Sequence, residues 1–293
     1  MNKSNLLKGV FFTSFASTFW GIPQPLIFNQ IKYIPALEVV SHRALWSFIF
    51  LFLIITFIGR IKDFFLIFYS YKILVILSIS AILISINWIG FIFAVSFNRI
   101  QDASMGYFLT PLVSISLGYF FLNEKISKKK ILSILLVIIS VIYLIIIDFK
   151  SIPWVGIAVA LSWGFYNLLR KKISVSTDIG LFIESLFILP FILIVFYFIT
   201  KNNLNDFSFS NPTLMIILMM AGPMTVIPLF LYVRGVEMCG LGPTGMVFYI
   251  TPTLQFILGY FLYNEPFNHN QLVSFILIWI AVFIYLRDLY ENI

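Results

Sequence analysis

Apolar runs of about 20 residues, the length a helix needs to cross a bilayer, recur along nearly the whole chain. Inside hydrocarbon every backbone N–H and C=O must be paired within the protein, so such a chain folds as a bundle of spanning helices. Ten runs meet the criterion: residues 9–28, 36–58, 73–97, 104–124, 131–147, 153–169, 179–199, 214–233, 246–265 and 272–286. The connections between them are short, and none reads as a soluble domain or a low-complexity linker. Composition agrees, at 61% hydrophobic and 11% charged, against roughly 45–50% and 25% in soluble domains. Lys3 and Lys8 precede the first run as in a signal peptide. No small-residue cleavage site follows and the run is long enough to span, so it is read as the first helix.

The fourth run occurs twice. Met105, Tyr107, Thr110, Pro111, Gly118, Tyr119, Phe120, Asn123 and Glu124 are matched by Met246, Tyr249, Thr251, Pro252, Gly259, Tyr260, Phe261, Asn264 and Glu265. From Thr110–Pro111 onward the spacing is a constant 141 positions, and Tyr107 matches Phe248 or Tyr249 only loosely. A weaker pair, Trp20-Gly21 and Trp163-Gly164, is offset by 143. A repeat at one fixed period marks a duplicated unit, here residues 1–150 followed by 151–293.

Charge sets the direction of each unit. The N-terminus, the even-numbered loops and the C-terminus carry 14 of the 19 Lys and Arg residues, among them Lys125, Lys128, Lys129, Lys130 and the Arg170–Lys172 cluster. The opposite loops carry Lys32, Arg99, Lys150 and Lys201. The Lys/Arg-rich side of a membrane protein is cytoplasmic, so both termini are expected inside. Five helices separate equivalent positions, an odd number, and the second unit is therefore inverted. The run after Asn264-Glu265 is accordingly uncharged where that after Asn123-Glu124 is a lysine cluster. The formal net charge of +7 is thus explained by topology, and nucleic acid is not an expected partner. The lipid bilayer is, and a homodimer is compatible with the sequence.

No nucleophile elbow, phosphate-cradling glycine loop or metal-spaced His/Cys set stands out. The lone Cys239 makes no internal disulfide. No cofactor, metal or catalytic residue is expected, and no nucleotide-binding domain is present to drive transport. The candidates are polar and aromatic residues within the runs, because an ionisable group in the bilayer needs a cavity or a partner. His42 and Glu38 lie one turn apart, with Arg43 adjacent; they read either as a substrate or proton site or as an interfacial pair that fixes the helix start. Glu184 lies one to two turns inside the seventh run and reads as a cavity residue or as a partner to cytoplasmic Arg or Lys. Asn87 and Trp88 sit at mid-membrane, and Pro228 is the positional equivalent of Asn87. Trp20, Tyr107, Trp163, Tyr166 and Tyr249 read as an aromatic lining or as members of the interfacial belts. Pro111, Pro228 and Pro252 free carbonyls and are expected to break or gate helices, with Thr110 and Thr251 placed to satisfy them. Gly118 and Gly259 read as close-packing positions.

In order along the chain, Trp20-Gly21, His42-Arg43, Trp46-Ser47, Asn87-Trp88, Gly106-Tyr107-Phe108, Pro111-Leu112, Gly118, Glu124, Pro153-Trp154, Arg170-Lys171, Gly180-Leu181, Glu184, Thr225, Pro228-Leu229, Tyr249, Pro252 and Glu265 resemble the RarD family of the drug/metabolite transporter (EamA-like) superfamily. Met105 departs from the leucine usual in that family. The resemblance implies ten transmembrane helices as two inverted five-helix repeats in the bacterial inner membrane. It also implies a central cavity lined by helices 1, 3, 4, 6, 8 and 9, with helices 5 and 10 peripheral. The function it implies is a permease; the family name refers to chloramphenicol sensitivity.

The expectation is therefore a non-enzymatic secondary transporter that moves a small drug-like or metabolite molecule by alternating access. His42, Arg43 and Glu184 would supply charge recognition or proton coupling. Alternatives are a metabolite exchanger or facilitator of a host-restricted bacterium, suggested by the AT-rich look of the Ile, Phe, Lys and Asn content, or a non-transporting membrane scaffold.

Overall fold

The computed structural model describes residues 2–96, 100–148, 153–202, 204–263 and 269–292. Arg99, Lys150, Asn264 and Glu265 lie outside them. The described chain is all helical: α1 (Lys3–Gly21), α2 (Pro23–Gln30), α3 (Ala36–Phe57), α4 (Ile61–Ile67), α5 (Tyr71–Ser96), α6 (Ile100–Leu122), α7 (Lys128–Asp148), α8 (Trp154–Lys172), α9 (Thr177–Lys201), α10 (Pro212–Met220), α11 (Pro223–Cys239), α12 (Leu241–Val247), α13 (Ile250–Leu262) and α14 (His269–Glu291).

Eight segments among the described residues have the length and apolar character of a membrane span. The segments that continue α10 into α11 and α12 into α13 are two of these. The ten runs read from the sequence correspond to these eight together with α1–α2 and α8, which fall short of a free-standing span. The shortfall has a packing cause. Helix α8 lies against α5, α6 and α11, and Ser162, Asn167 and Arg170 are buried within the protein. A helix shielded from lipid need not be apolar all round. The outside of the bundle instead exposes large apolar residues such as Phe57, Ile82, Phe120, Ile139, Phe191 and Phe283, as a surface facing lipid requires.

Three expected helices are broken. The first divides at Ile22, where Pro23 opens α2. The eighth divides at Ala221-Gly222, where Pro223 opens α11. The ninth divides at Phe248-Tyr249, before Pro252. The prolines do not act alike. Pro111 and Pro228 lie inside continuous helices, whereas the carbonyl of Phe248 that Pro252 leaves free accepts from the Thr251 amide at 2.9 Å. The threonines differ from expectation too. Thr110 Oγ1 donates to Gly106 O at 2.8 Å within its own helix, while Thr251 Oγ1 crosses to Ser17 O at 3.0 Å. Helix α4 has no counterpart among the sequence-read runs, being too short to span. Arg60 at its start pairs with Asp63 at 2.8 Å and with Asp178 of α9 at 2.6 Å.

Small residues set the closest helix approaches. At Gly106 a Cβ would lie 2.9 Å from the backbone oxygen of Gly156, so α6 and α8 meet at their main chains. The break at Gly222 abuts the backbone of Trp46 and Ser47. We expect Gly106→Val to force α6 off α8 and to cost about 1–3 kcal/mol. A thermal melt in detergent equal to wild type would contradict that reading.

Two large buried clusters dominate the packing among the described residues, beside two small ones at Ile31 with Leu218 and at Val155 with Val159. One large cluster gathers residues of α3, α5, α8, α9 and α11 around Trp163, Tyr166 and Tyr232. The other gathers α6, α7 and α14 around Val141, Ile278 and Tyr249. Helices α7 and α14 pack on each other away from the first cluster.

Candidate functional site

Ion pairs and polar ties concentrate at one end of the bundle, where Lys129 meets Glu291 at 2.8 Å, Arg60 meets Asp178 and Arg234 meets Glu237. This is called the basic end here. Glu124 closes it. Asn123 takes a left-handed φ of 54° just after α6, which turns the chain so that Glu124 Oε1 and Oε2 accept from the amides of Leu241 and Gly242 at 2.8 and 3.0 Å. Gly240, at φ 91°, leaves room for that carboxylate. Gly118, expected to serve helix packing, serves the same purpose, since a Cβ there would lie 2.7 Å from Glu124 Oε2. The repeated Asn-Glu thus ties α6 to α12 in its first copy; its second copy lies outside the described residues. Burial raises the Glu124 carboxyl from its ordinary value against the pull of the two amide donors.

Inward from this latch lies an aromatic cluster. The rings of Trp163 and Tyr232 are 5.2 Å apart, Trp20 and Trp163 5.6 Å, Tyr232 and Phe248 5.6 Å, and Tyr107 and Phe248 6.0 Å. On the side of the cluster away from the basic end is a cavity of about 120 Å³. Its lining comes from both halves of the chain: Trp20, Gln24, Phe28, Arg43, Ile84, Asn87, Trp88, Tyr107 and Thr110 from the first, Val159, Trp163, Thr225, Leu229, Phe248 and Gln255 from the second. Asn87 Nδ2 donates to Val159 O at 3.0 Å, bridging α5 and α8. Arg43 Nε donates to Thr225 Oγ1 at 3.1 Å, and its guanidinium carbon lies 5.4 Å from the Phe28 ring and 5.5 Å from the Trp88 ring. Gln255 Nε2 donates to Trp20 O at 3.3 Å.

Of the ten sequence-read cavity residues, Trp20, Arg43, Asn87, Trp88, Tyr107 and Trp163 line this space. The structure sets the other four elsewhere. His42 and Arg43 are neighbours in sequence, but successive side chains on a helix diverge by about 100°. His42 therefore turns away, stacked on Phe207 with ring centres 4.9 Å apart. Beside it Glu38 accepts from the Asp206 amide at 2.8 Å, which pins the segment before α10 to the start of α3. Tyr249 follows Phe248 across the α12–α13 break and faces α6, its hydroxyl donating to Phe108 O at 2.9 Å. Tyr166 and Glu184 form a buried group with Arg170. The Tyr166 hydroxyl donates to Glu184 Oε2 at 3.1 Å, and Arg170 Nε lies 3.7 Å from Glu184 Oε1. This group lies nearer the basic end, and Glu184 borders only a small neighbouring void of about 30 Å³. Pro111, Pro228 and Pro252 are likewise absent from the lining.

Sequence reading missed nine lining residues, the aliphatic Ile84, Val159 and Leu229, the threonines Thr110 and Thr225, and Gln24, Phe28, Phe248 and Gln255. Phe248 carried a signal, since a strict offset of 141 from Tyr107 lands on it rather than on Tyr249. Gln24 sits between Pro23 and Pro25 at the first helix break. Gln255 carried little signal beyond being polar one turn after Thr251.

These features define a multi-pass helical membrane protein built around an internal cavity of mixed aromatic and polar lining. A family model described as the EamA-like transporter family matches residues 7–146 and again 150–287. A Vibrio cholerae protein termed an uncharacterized transporter is 34% identical over 96% of this chain and 92% of its own length. Protein RarD of Escherichia coli is 33% identical over 98% and 97% respectively. A more distant Pseudomonas aeruginosa relative, 24% identical over 94% and 92%, is named chloramphenicol-sensitive protein RarD. A solved crystal structure shares the fold at a TM-score of 0.70, covering 97% of each chain with 12% identity. The chain belongs to the RarD family of EamA-like transporters. The matching family and several of its relatives are named as transporters, which points to transport rather than catalysis.

Proposed function

We propose that this protein is a secondary transporter of the bacterial inner membrane, moving a small drug-like or metabolite molecule by alternating access. The observation that carries the reading is the cavity, because its walls are drawn from both segments that match the family model. In duplicated transporters the substrate site lies at the interface between repeats, beside broken helices. Here the breaks at Ile22, Gly222 and Phe248 all adjoin residues of the lining. In this reading α1–α2 and α8 complete ten spans, grouped as two inverted five-helix halves that divide near residue 150. Helices α7 and α14 brace the outside. The basic end is cytoplasmic, as the lysine and arginine excess there favours, and both termini lie inside. The Glu124 tie and the aromatic cluster then close the cytoplasmic path, and rocking of one half against the other opens it.

The test is flux in proteoliposomes, with and without an imposed pH gradient, for a panel of antibiotics and metabolites. Accumulation that needs the gradient supports proton coupling; equilibration without it supports a facilitator or exchanger. Asn87→Ala removes the bond to Val159 O, worth about 0.6 kcal/mol between membrane helices. We expect the variant to fold normally and to lose about tenfold in flux. Unchanged flux would remove the cavity from the transport path.

A further inference from the structure

Among the described residues, Arg43 is the only charged one lining the cavity. A guanidinium at this depth is costly unless something answers its charge. Among the described residues its hydrogen bond goes from Nε to the neutral Thr225 hydroxyl, and its other neighbours are the rings of Phe28 and Trp88 and the neutral phenol of Tyr107. Two carboxylates of its own and a neighbouring helix, among the described residues, are committed elsewhere. Glu184 is held by Tyr166 and Arg170, and Glu38 by the Asp206 amide. The side chain is thus tethered at Nε and set against the two rings, and among the described residues the two terminal nitrogens have no carboxylate partner. Those two nitrogens form one edge of the planar fork that binds a carboxylate in bidentate fashion.

The rest of the wall fits an aromatic body. Trp20, Trp88, Trp163 and Phe248 surround the cavity, while Gln24 and Gln255 offer neutral hydrogen-bonding groups. Its volume of about 120 Å³ is of the same order as the roughly 150 Å³ core cavity that admits benzene. A single-ring molecule fits that space, and a nucleotide does not. A cationic substrate would be repelled by Arg43, and a neutral one would leave the charge unanswered whenever the site is closed to water.

We infer that the cavity binds a small aromatic monocarboxylate, its carboxylate on the terminal nitrogens of Arg43 and its ring among Trp20, Trp88 and Trp163. This rests on the transporter reading for its biological meaning, but the binding can be measured without flux. The probes are matched pairs, benzoate with benzamide and phenylacetate with phenylacetamide, with sodium chloride as the inorganic anion. Quenching of the tryptophan fluorescence of the purified full-length protein in detergent reports occupancy, because three tryptophans line the site.

The acid of each pair is expected to bind at least tenfold more tightly than its amide. Arg43→Gln is expected to abolish that preference, and Arg43→Lys, which keeps the charge without the fork, to reduce it. The lysine variant guards against a folding failure of the glutamine one. The inference is overturned if acid and amide bind alike, if neither binds, if chloride competes as well as the acid, or if Arg43→Gln keeps the preference. Flux of the same pairs into proteoliposomes, measured against protein-free vesicles, separates the two readings. Equal protein-dependent flux of acid and amide would sustain transport and overturn the anion site. Acid binding without flux would sustain the anion site and overturn transport.

Discussion

Arg170→Ala is expected to be the most damaging single substitution outside the cavity. Arg170 is 1% exposed and Glu184 3% exposed, and the variant leaves a buried carboxylate with only the Tyr166 hydroxyl. Removing one member of a buried pair costs about 3–5 kcal/mol, whereas replacing both by apolar groups is often neutral or better. Arg170→Ala should therefore accumulate poorly and melt far below wild type in detergent. Glu184→Gln, which keeps an oxygen for Tyr166, should cost less. The double variant Arg170→Met with Glu184→Leu should recover much of the loss, giving a large coupling energy. The seat is closely fitted, because any side chain at Gly180 would collide with the guanidinium. An Arg170→Ala protein as stable as wild type would show that the group contributes little, which its loose 3.7 Å pairing would then explain.

Glu124→Ala should act on function more than on folding. It removes both acceptors from the Leu241 and Gly242 amides. Hydrogen bonds to a charged group are worth about 1.5–3 kcal/mol, and water reaching this end of the bundle can replace part of that. Because the tie joins α6 to α12, its loss should release the start of α12. We expect faster amide hydrogen exchange over residues 241–247, and flux lowered about tenfold or uncoupled from any gradient. Glu124→Gln keeps one acceptor and should lie between. Unchanged exchange over 241–247 would mean that α12 is held by packing alone.

The glycines around the Glu124 tie show how one local conformation serves a contact 117 residues away. Asn123 alone could be read as a helix stop. That its left-handed turn delivers a carboxylate to a second helix start depends on Gly240, which has no sequence relation to it. The same holds for Arg170. Sequence reading gave Glu184 a charged partner only as one alternative, and the partner came from the adjoining helix α8 at nearly the right depth.

Membrane character, the order of the helices and the family were legible in the chain, because a bilayer imposes one rule on every span: about 20 apolar residues with all backbone groups paired. The aromatic and polar residues of α1, α5, α6 and α8 were also marked, since such groups stand out against an apolar background. Azimuth was not legible. Whether His42 or Arg43, Phe248 or Tyr249, faces the cavity turns on about 100° of helix rotation, and both members of each pair are compatible with hydropathy. The helix breaks added a second uncertainty, because a proline announces a disruption without saying which way the following segment points. Only the packing of both halves around one space assigned Arg43 to the cavity, Glu184 to an internal pair and Glu124 to a tie between α6 and α12. Long-range contacts of that kind carry no periodicity for a sequence to display.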